Sequence, residues 1–202
     1  MSEFLQSLFL KLNGYPISKK QCLLLTKIFE EFYTFHDDEL EPPSSQIVAL
    51  SSSCGMKLPQ VLSSALNSWG EYHGCFSEAA KLILNDYRSK KPYYAGFGHP
   101  KYKDADPRVT AVLNYAKRIR YSSTNIKNST YFASKIKLPL NFGGLMACVL
   151  LDCGCTVHNI DAFPIICRMI GWTIIHSKVK QYKIPFDSGY EVIKRYNSTN
   201  NL

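Results

Sequence analysis

Three short segments of this chain carry residue types that handle protons and anions. The first runs Gly96-Phe97-Gly98-His99-Pro100-Lys101-Tyr102-Lys103-Asp104-Ala105-Asp106-Pro107-Arg108. Gly96 and Gly98 allow positive φ or a close backbone approach, so the His99 imidazole projects from a tightly folded turn. Nine residues later, Arg108 falls in the first turn of a helix begun by Asp106-Pro107. There, free backbone N–H groups and the helix dipole already favour an anion. An imidazole that exchanges protons near neutral pH, beside a guanidinium able to grip a carboxylate, suits oxyacid chemistry.

The second segment is Gly70-Glu71-Tyr72-His73-Gly74-Cys75. His73 stands just before a helix, whose positive end disfavours the imidazolium. A neutral ring there can donate a hydrogen bond to a developing oxyanion. The third is Pro139-Leu140-Asn141-Phe142-Gly143-Gly144, a glycine-rich entry into an apolar helix. Taken singly, each segment also fits a capping, turn or packing role.

The elements that must position these segments read at helical spacing almost throughout. Phe4 to Leu12 is a short amphipathic helix, stopped by Asn13-Gly14-Tyr15-Pro16. Ser18 caps a second helix, with Leu24, Ile28, Phe32 and Phe35 on one face. Ser44 or Ser45 starts a third, and Leu58 to Trp69 forms a fourth. Ala79, Leu82 and Ile83 belong to a helix ending near Tyr87. Arg88 to Ala105 reads as an ordered loop. Asp at the N-cap and Pro at the first helical position then begin a helix that buries Val109, Val112, Leu113 and Ala116. Tyr121 to Thr130 reads as a polar connection. Helices at about 143–153 and 161–180 follow. Pro164 is tolerated only in a first turn, which places the last start near Asp161. No alternating strand pattern emerges, so the predicted class is all-α, a multi-helix bundle.

Composition narrows the function classes. With 46% hydrophobic and 13% aromatic residues, the 202-residue chain can bury a sizeable core. Its 24 Lys and Arg against 16 Asp and Glu, a net charge of +8, suit an anionic partner. The basic residues form no dense arm and accompany no DNA-binding pattern, so no nucleic-acid partner is expected. Seven cysteines, an odd number without a secretory leader, point to reduced thiols in a cytoplasm. Cys153 and Cys155 with His158 lack a second ligand pair, and no metal is expected. The apolar run Leu145 to Leu151 is too short to cross a bilayer, and no membrane partner is expected.

Together and in this order, the three segments resemble citrate synthase, and more closely the short citryl-CoA lyase type and the matching module of ATP-citrate lyase. The family string G-x-G-H-[RP]-x-[YH]-K-x-x-D-P-R is matched by Gly96 to Arg108. The upstream G-x-x-H-G-G is matched by Gly70, His73 and Gly74, with Cys75 in the last position. A downstream P-x-N-x-D-G-x-x-A-x-x-L-x-D-x-G is echoed by Pro139, Asn141, Gly144, Ala147, Leu150, Asp152 and Gly154. Cys167 to Trp172 resembles the family's A-R-x-x-G-W.

The resemblance implies an all-α citrate synthase-like bundle, with large-domain helices and a small helical subdomain around His73 to Arg108. It implies a single catalytic core over 1–202, without the long N-terminal part of full-length citrate synthase, and with a disordered tail over 191–202. The substrates would be a coenzyme A thioester and a di- or tricarboxylate, the protein a homodimer or higher oligomer. His73 would hold a thioester enolate oxygen. His99 would exchange a proton at the oxygen on the carbon being bonded. Arg108 and Arg168 would grip carboxylates, and Gly74, Gly96, Phe97 and Gly98 would help bind CoA through backbone groups.

Three positions depart from the pattern. Gly143 stands where the family has its catalytic aspartate. The early D-H-E turn reads Asp37-Asp38-Glu39, so Asp38 takes the substrate-binding position, and His36 fills it only if the turn slips by two residues. Lys183 is the nearest match to an arginine sent into a neighbouring site. The expected activity is C–C bond cleavage or formation beside a thioester, with cleavage favoured. The alternative is a catalytically impaired relative that binds CoA or carboxylates, or that pairs with another subunit.

Overall fold

The computed structural model describes residues 2–33, 42–70, 73–74, 76–88 and 92–180. The expectations for His36, Asp38, Lys183 and the 191–202 tail lie outside the described residues. Among the described residues there are nine α-helices and no β-sheet, only isolated bridges. They are α1 (Ser2–Asn13), α2 (Lys19–Tyr33), α3 (Pro43–Ser53), α4 (Leu58–Asn67), α5 (Phe76–Leu84), α6 (Pro107–Arg118), α7 (Thr124–Ile136), α8 (Phe142–Asp152) and α9 (Ala162–Lys180). The chain divides into two compact units. One comprises Met1–Glu31 with Cys75–Pro164, the other Phe32–Gly74 with Ile165–Leu202. His73 and Gly74 fall in the second of these units, and His99 and Arg108 in the first.

The first unit is built round α8. Its run Leu145 to Leu150 is wholly buried, and α5, α6 and α7 all pack against it. A helix apolar on every side has no face to offer water and ends in a core. Ser18 opens α2 as expected: its hydroxyl accepts from the Gln21 N–H (3.2 Å), while Gln21 Oε1 accepts from the Ser18 N–H (2.7 Å). This reciprocal pair is a capping box. Asp106 opens α6, its carboxylate accepting from the Arg108 N–H at 3.0 Å.

Two expectations fail in this unit. Tyr121 to Thr130 is not a connection throughout: Ser123 caps α7 by accepting from the Ile126 N–H at 2.9 Å. Its polar composition hides the helix, whose inward contacts are Ser129, fully buried, and Phe132. In the same unit, α5 stops at Leu84 and does not reach Tyr87. Asp86 and Tyr87 adopt positive φ (47° and 61°), and the Tyr87 ring stacks on Phe132 at 4.5 Å.

The second unit packs α3, α4 and the α9 residues from Ile165 onward. Val48, Ala49, Val61, Ala65, Trp172, Ile175 and Val179 form its core. The helix expected to start at Ser44 or Ser45 begins one residue earlier. Pro42 is the N-cap and Pro43 the first helical residue, whose fixed φ suits that position. Both serines are buried inside the first turn. A second polar pair satisfies itself in this unit, where Ser52 Oγ and His176 Nδ1 lie 2.8 Å apart.

Candidate active site

The first unit carries His99, Arg108 and Gly143. The glycines before His99 are required by geometry: Gly96 and Gly98 have φ of 88° and 74°, a region L side chains rarely adopt. A Cβ on Gly96 would also lie 2.8 Å from the Gly144 Cα, and one on Gly144 would strike the Gly96 carbonyl. Loop and helix start thus meet backbone to backbone.

Asn141, the N-cap of α8, ties them. Its Oδ1 accepts from the Gly144 N–H (3.0 Å), its Nδ2 donates to Gly98 O (2.8 Å), and its own N–H donates to Gly96 O (3.0 Å). The Gly98 N–H donates to Pro139 O at 2.7 Å, and the Phe97 N–H to Tyr94 O at 3.1 Å. Phe97 itself is buried among Tyr87 and Phe132. Several of the backbone groups expected to meet a cofactor at Gly96, Phe97 and Gly98 therefore already have partners within the chain.

His99 is half-buried. Its Nδ1 accepts from the N–H groups of Lys101 (3.2 Å) and Tyr102 (3.4 Å), and its ring stacks on Tyr102 at 4.6 Å. Backbone N–H groups can only donate, so the neutral ring carries its proton on Nε2. It presents a donor.

Arg108 has one edge of its guanidinium already engaged. Nε and Nη2 donate to the two oxygens of Asp106 at 3.0 and 2.7 Å, and Cζ sits 4.9 Å from the Phe142 ring. Asp106 is only 1% exposed, so its charge is held by that fork and the helix start. The sequence marked Asp106 only as a cap. Its i, i+2 spacing to Arg108 was the signal for the ion pair.

Gly143 is the second residue of α8, and no acid stands at its position. A Cβ there would lie 3.3 Å from Asn141 Oδ1 and 3.6 Å from the Phe76 ring. Asp161 caps α5, accepting from the N–H groups of Phe76 (2.9 Å) and Ser77 (3.2 Å). Asp152 lies at the far end of α8, holding Tyr121 (2.9 Å) and Asn125 (2.7 Å). The Tyr121 phenol is raised by burial and by that carboxylate.

The second unit carries His73, Gly74 and Arg168. His73 Nε2 lies 3.0 Å from Ser44 Oγ. Burial, and then the nearby Arg168 charge, lower its pKa to about 4. Both causes disfavour the imidazolium. Gly74 has φ of 80°, and a Cβ there would enter the Trp69 indole. Arg168 lies over the Phe32 ring at 4.5 Å.

The six described cysteines are free thiols. Burial pushes Cys148 and Cys167 up to about 12 and Cys155 to about 11, far from nucleophilic use at neutral pH. Among the described residues, no three His, Cys, Asp or Glu side chains are grouped to hold a metal, and no helix is long and apolar enough to cross a membrane.

Comparison with known proteins bears on this arrangement. A citryl-CoA lyase structure from Hydrogenobacter thermophilus superposes with a TM-score of 0.78, covering 91% of this chain and 78% of that one at 24% identity. The chain has the citrate synthase-superfamily fold. An ATP citrate lyase from Methanosaeta concilii, solved in complex with (3S)-citryl-CoA, shares this superfamily fold with a TM-score of 0.66, 16% identity and coverage of 83% and 32%. The Methanothrix soehngenii ATP citrate lyase, in complex with citrate and coenzyme A, matches at 0.52 with 14% identity, covering 92% of this chain and 33% of that one. By sequence, 131 residues are 27% identical to citrate synthase from Helicobacter pylori (strain J99). That match takes in 52% of the chain and spans about a third of the enzyme's length (31%). No family model matches the chain.

Proposed function

We propose that this protein acts on a coenzyme A thioester and a di- or tricarboxylate, making or breaking a C–C bond through a thioester enolate, with cleavage favoured. The observation that carries this reading is the His99 loop, clamped by Asn141 to the start of α8 in a chain of this fold. His73, neutral and oriented by Ser44, offers a ring proton to the enolate oxygen. His99 offers Nε2–H to the oxygen on the other carbon. Arg108 and Arg168 take the carboxylates. Gly74, Gly96 and Gly98 shape the backbone where the thioester arm lies. Asp38 and Lys183, the other substrate-binding candidates of the sequence, lie outside the described residues.

The preference for cleavage is supported by what each direction asks of the chain. Removing a methyl proton for synthesis needs a placed base, and losing one costs roughly 10²–10⁴-fold. Gly143 supplies none. In cleavage, Nε2 must be free to accept the alcohol proton, so the neutral ring first loses its Nε2 proton to solvent and takes one up on Nδ1, giving up the Lys101 and Tyr102 contacts. Each neutral hydrogen bond is worth about 1 kcal/mol, so this handicap is roughly tenfold to thirtyfold. The last proton then reaches an enolate already formed, a downhill transfer that water can serve.

Purified protein, assayed for citryl-CoA cleavage and citrate formation before and after Gly143→Asp, tests this. The helix start and the 3.3 Å clearance accommodate the new side chain with small shifts. Synthesis is expected to rise by at least about 10²-fold; no gain sinks the account. A second reading rests on Gly143 itself: a binding protein that keeps the ligand groups without the acid, or pairs with another subunit. Thermal stabilisation by CoA, with neither reaction detectable, would establish it. A dimer or higher oligomer belongs to the first reading, as does a cytoplasmic setting in keeping with the free thiols, and sedimentation of the purified protein checks the former.

A further inference from the structure

The peptide linking Gly98 to His99 sets the direction in which the imidazole leaves the loop. Gly98 has no side chain to restrict it and sits at φ 74°, so rotation of this peptide would swing the imidazole out of place at little steric cost. Lys101 and Tyr102 hold the ring itself through Nδ1, but they lie on the loop and move with it. Asn141 ties this peptide to the helical frame, its Nδ2–H donating to the Gly98 carbonyl at 2.8 Å.

We infer that Asn141 is a positioning residue for His99, setting the imidazole's direction through the Gly98 carbonyl while capping α8 with the other end of the same amide. This role rests on the reaction proposed above for its purpose, but not for its structural test. The amide orientation is fixed by its partners: the Gly144 N–H must meet oxygen and the Gly98 carbonyl must meet N–H. Only asparagine among side chains of this size presents both. Aspartate keeps the acceptor for Gly144, and is as good an N-cap, but sets an oxygen against the Gly98 carbonyl. Alanine loses both contacts.

That difference separates positioning from folding. In Asn141→Asp, amide exchange at Gly98, Lys101 and Tyr102 is expected to quicken at least about tenfold, the equivalent of one hydrogen bond to the loop. Exchange at Leu145 to Leu150 should stay close to wild type, and the melting temperature should fall by no more than one lost hydrogen bond allows. Asn141→Ala is expected to speed exchange in the loop and also to lower the melting temperature. If Asn141→Asp leaves the three loop amides as protected as in wild type, the inference is wrong. It is equally wrong if loop and α8 amides quicken together, since the residue is then only a cap.

A second measurement reads the purpose. CoA titrated into wild type and Asn141→Asp should show affinity falling about tenfold in the variant. If wild type binds no CoA while the exchange pattern is as expected, the functional reading fails and the positioning role stands.

Discussion

The two histidines are held by different means. His99 sits in a loop fastened through backbone groups: its ring nitrogen accepts from Lys101 and Tyr102, and the peptide before it is tied to Asn141. His73 is fixed through a side chain, the Ser44 hydroxyl, and kept neutral by burial and Arg168. A backbone-held ring depends on glycines and tolerates no added Cβ. A side-chain-held ring depends on local polarity and carries a pH signature. The difference predicts how each fails.

The largest effect should come from Gly144→Ala, whose Cβ would strike the Gly96 carbonyl. Neither backbone can yield without moving the loop, and a loss of about 3 kcal/mol is expected in urea unfolding. A cost under about 1 kcal/mol would show the contact to be loose. Next stands Asp106→Asn, which sets an amide N–H₂ against the Arg108 fork while keeping the helix cap. About 2 kcal/mol should be lost, and the same denaturation experiment decides it.

On the His73 side the expected signature is in pH. The folded pKa of about 4 lies below the ordinary 6.5, so between these values the unfolded chain binds a proton that the folded chain refuses. Stability should be full above about pH 6.5 and fall as pH drops towards 4. With the ring only partly buried, roughly 2 kcal/mol of loss is a fair allowance for solvent screening. In His73→Gln this portion of the slope should vanish; a slope unchanged by the substitution would assign it elsewhere. The smallest effect belongs to Ser44→Ala, which removes one hydrogen bond worth about 1 kcal/mol. Its sharper readout is the His73 titration by NMR, since the ring loses its oriented partner and gains freedom to reach water.

Much of this was legible in the chain. Ser18 with Gln21, and Asp106 with Pro107, are local signals, because a cap is satisfied within four residues of itself. The apolar run after Leu145 marked a core helix for the same reason: its burial needs no knowledge of what surrounds it. The α7 helix escaped because polar residues dominate it and its inward contacts, Ser129 and Phe132, find partners in Cys148, Tyr87 and Phe97, far away in sequence. Asn141 appeared as one letter of a motif. That it joins Gly96, Gly98 and Gly144 follows only from a fold that brings residues 43 positions apart within hydrogen-bond range.

By itself the sequence determined an all-helical chain, its glycine turns, its capped starts and the substitution at Gly143, because each depends on neighbours along the backbone. The tertiary structure alone decided which groups are already spoken for. Arg108 gives an edge to Asp106, the loop carbonyls go to Asn141, and the Nδ1 of His99 goes to Lys101 and Tyr102. Desolvation and hydrogen bonding depend on what lies across space, and only the folded chain fixes that distance.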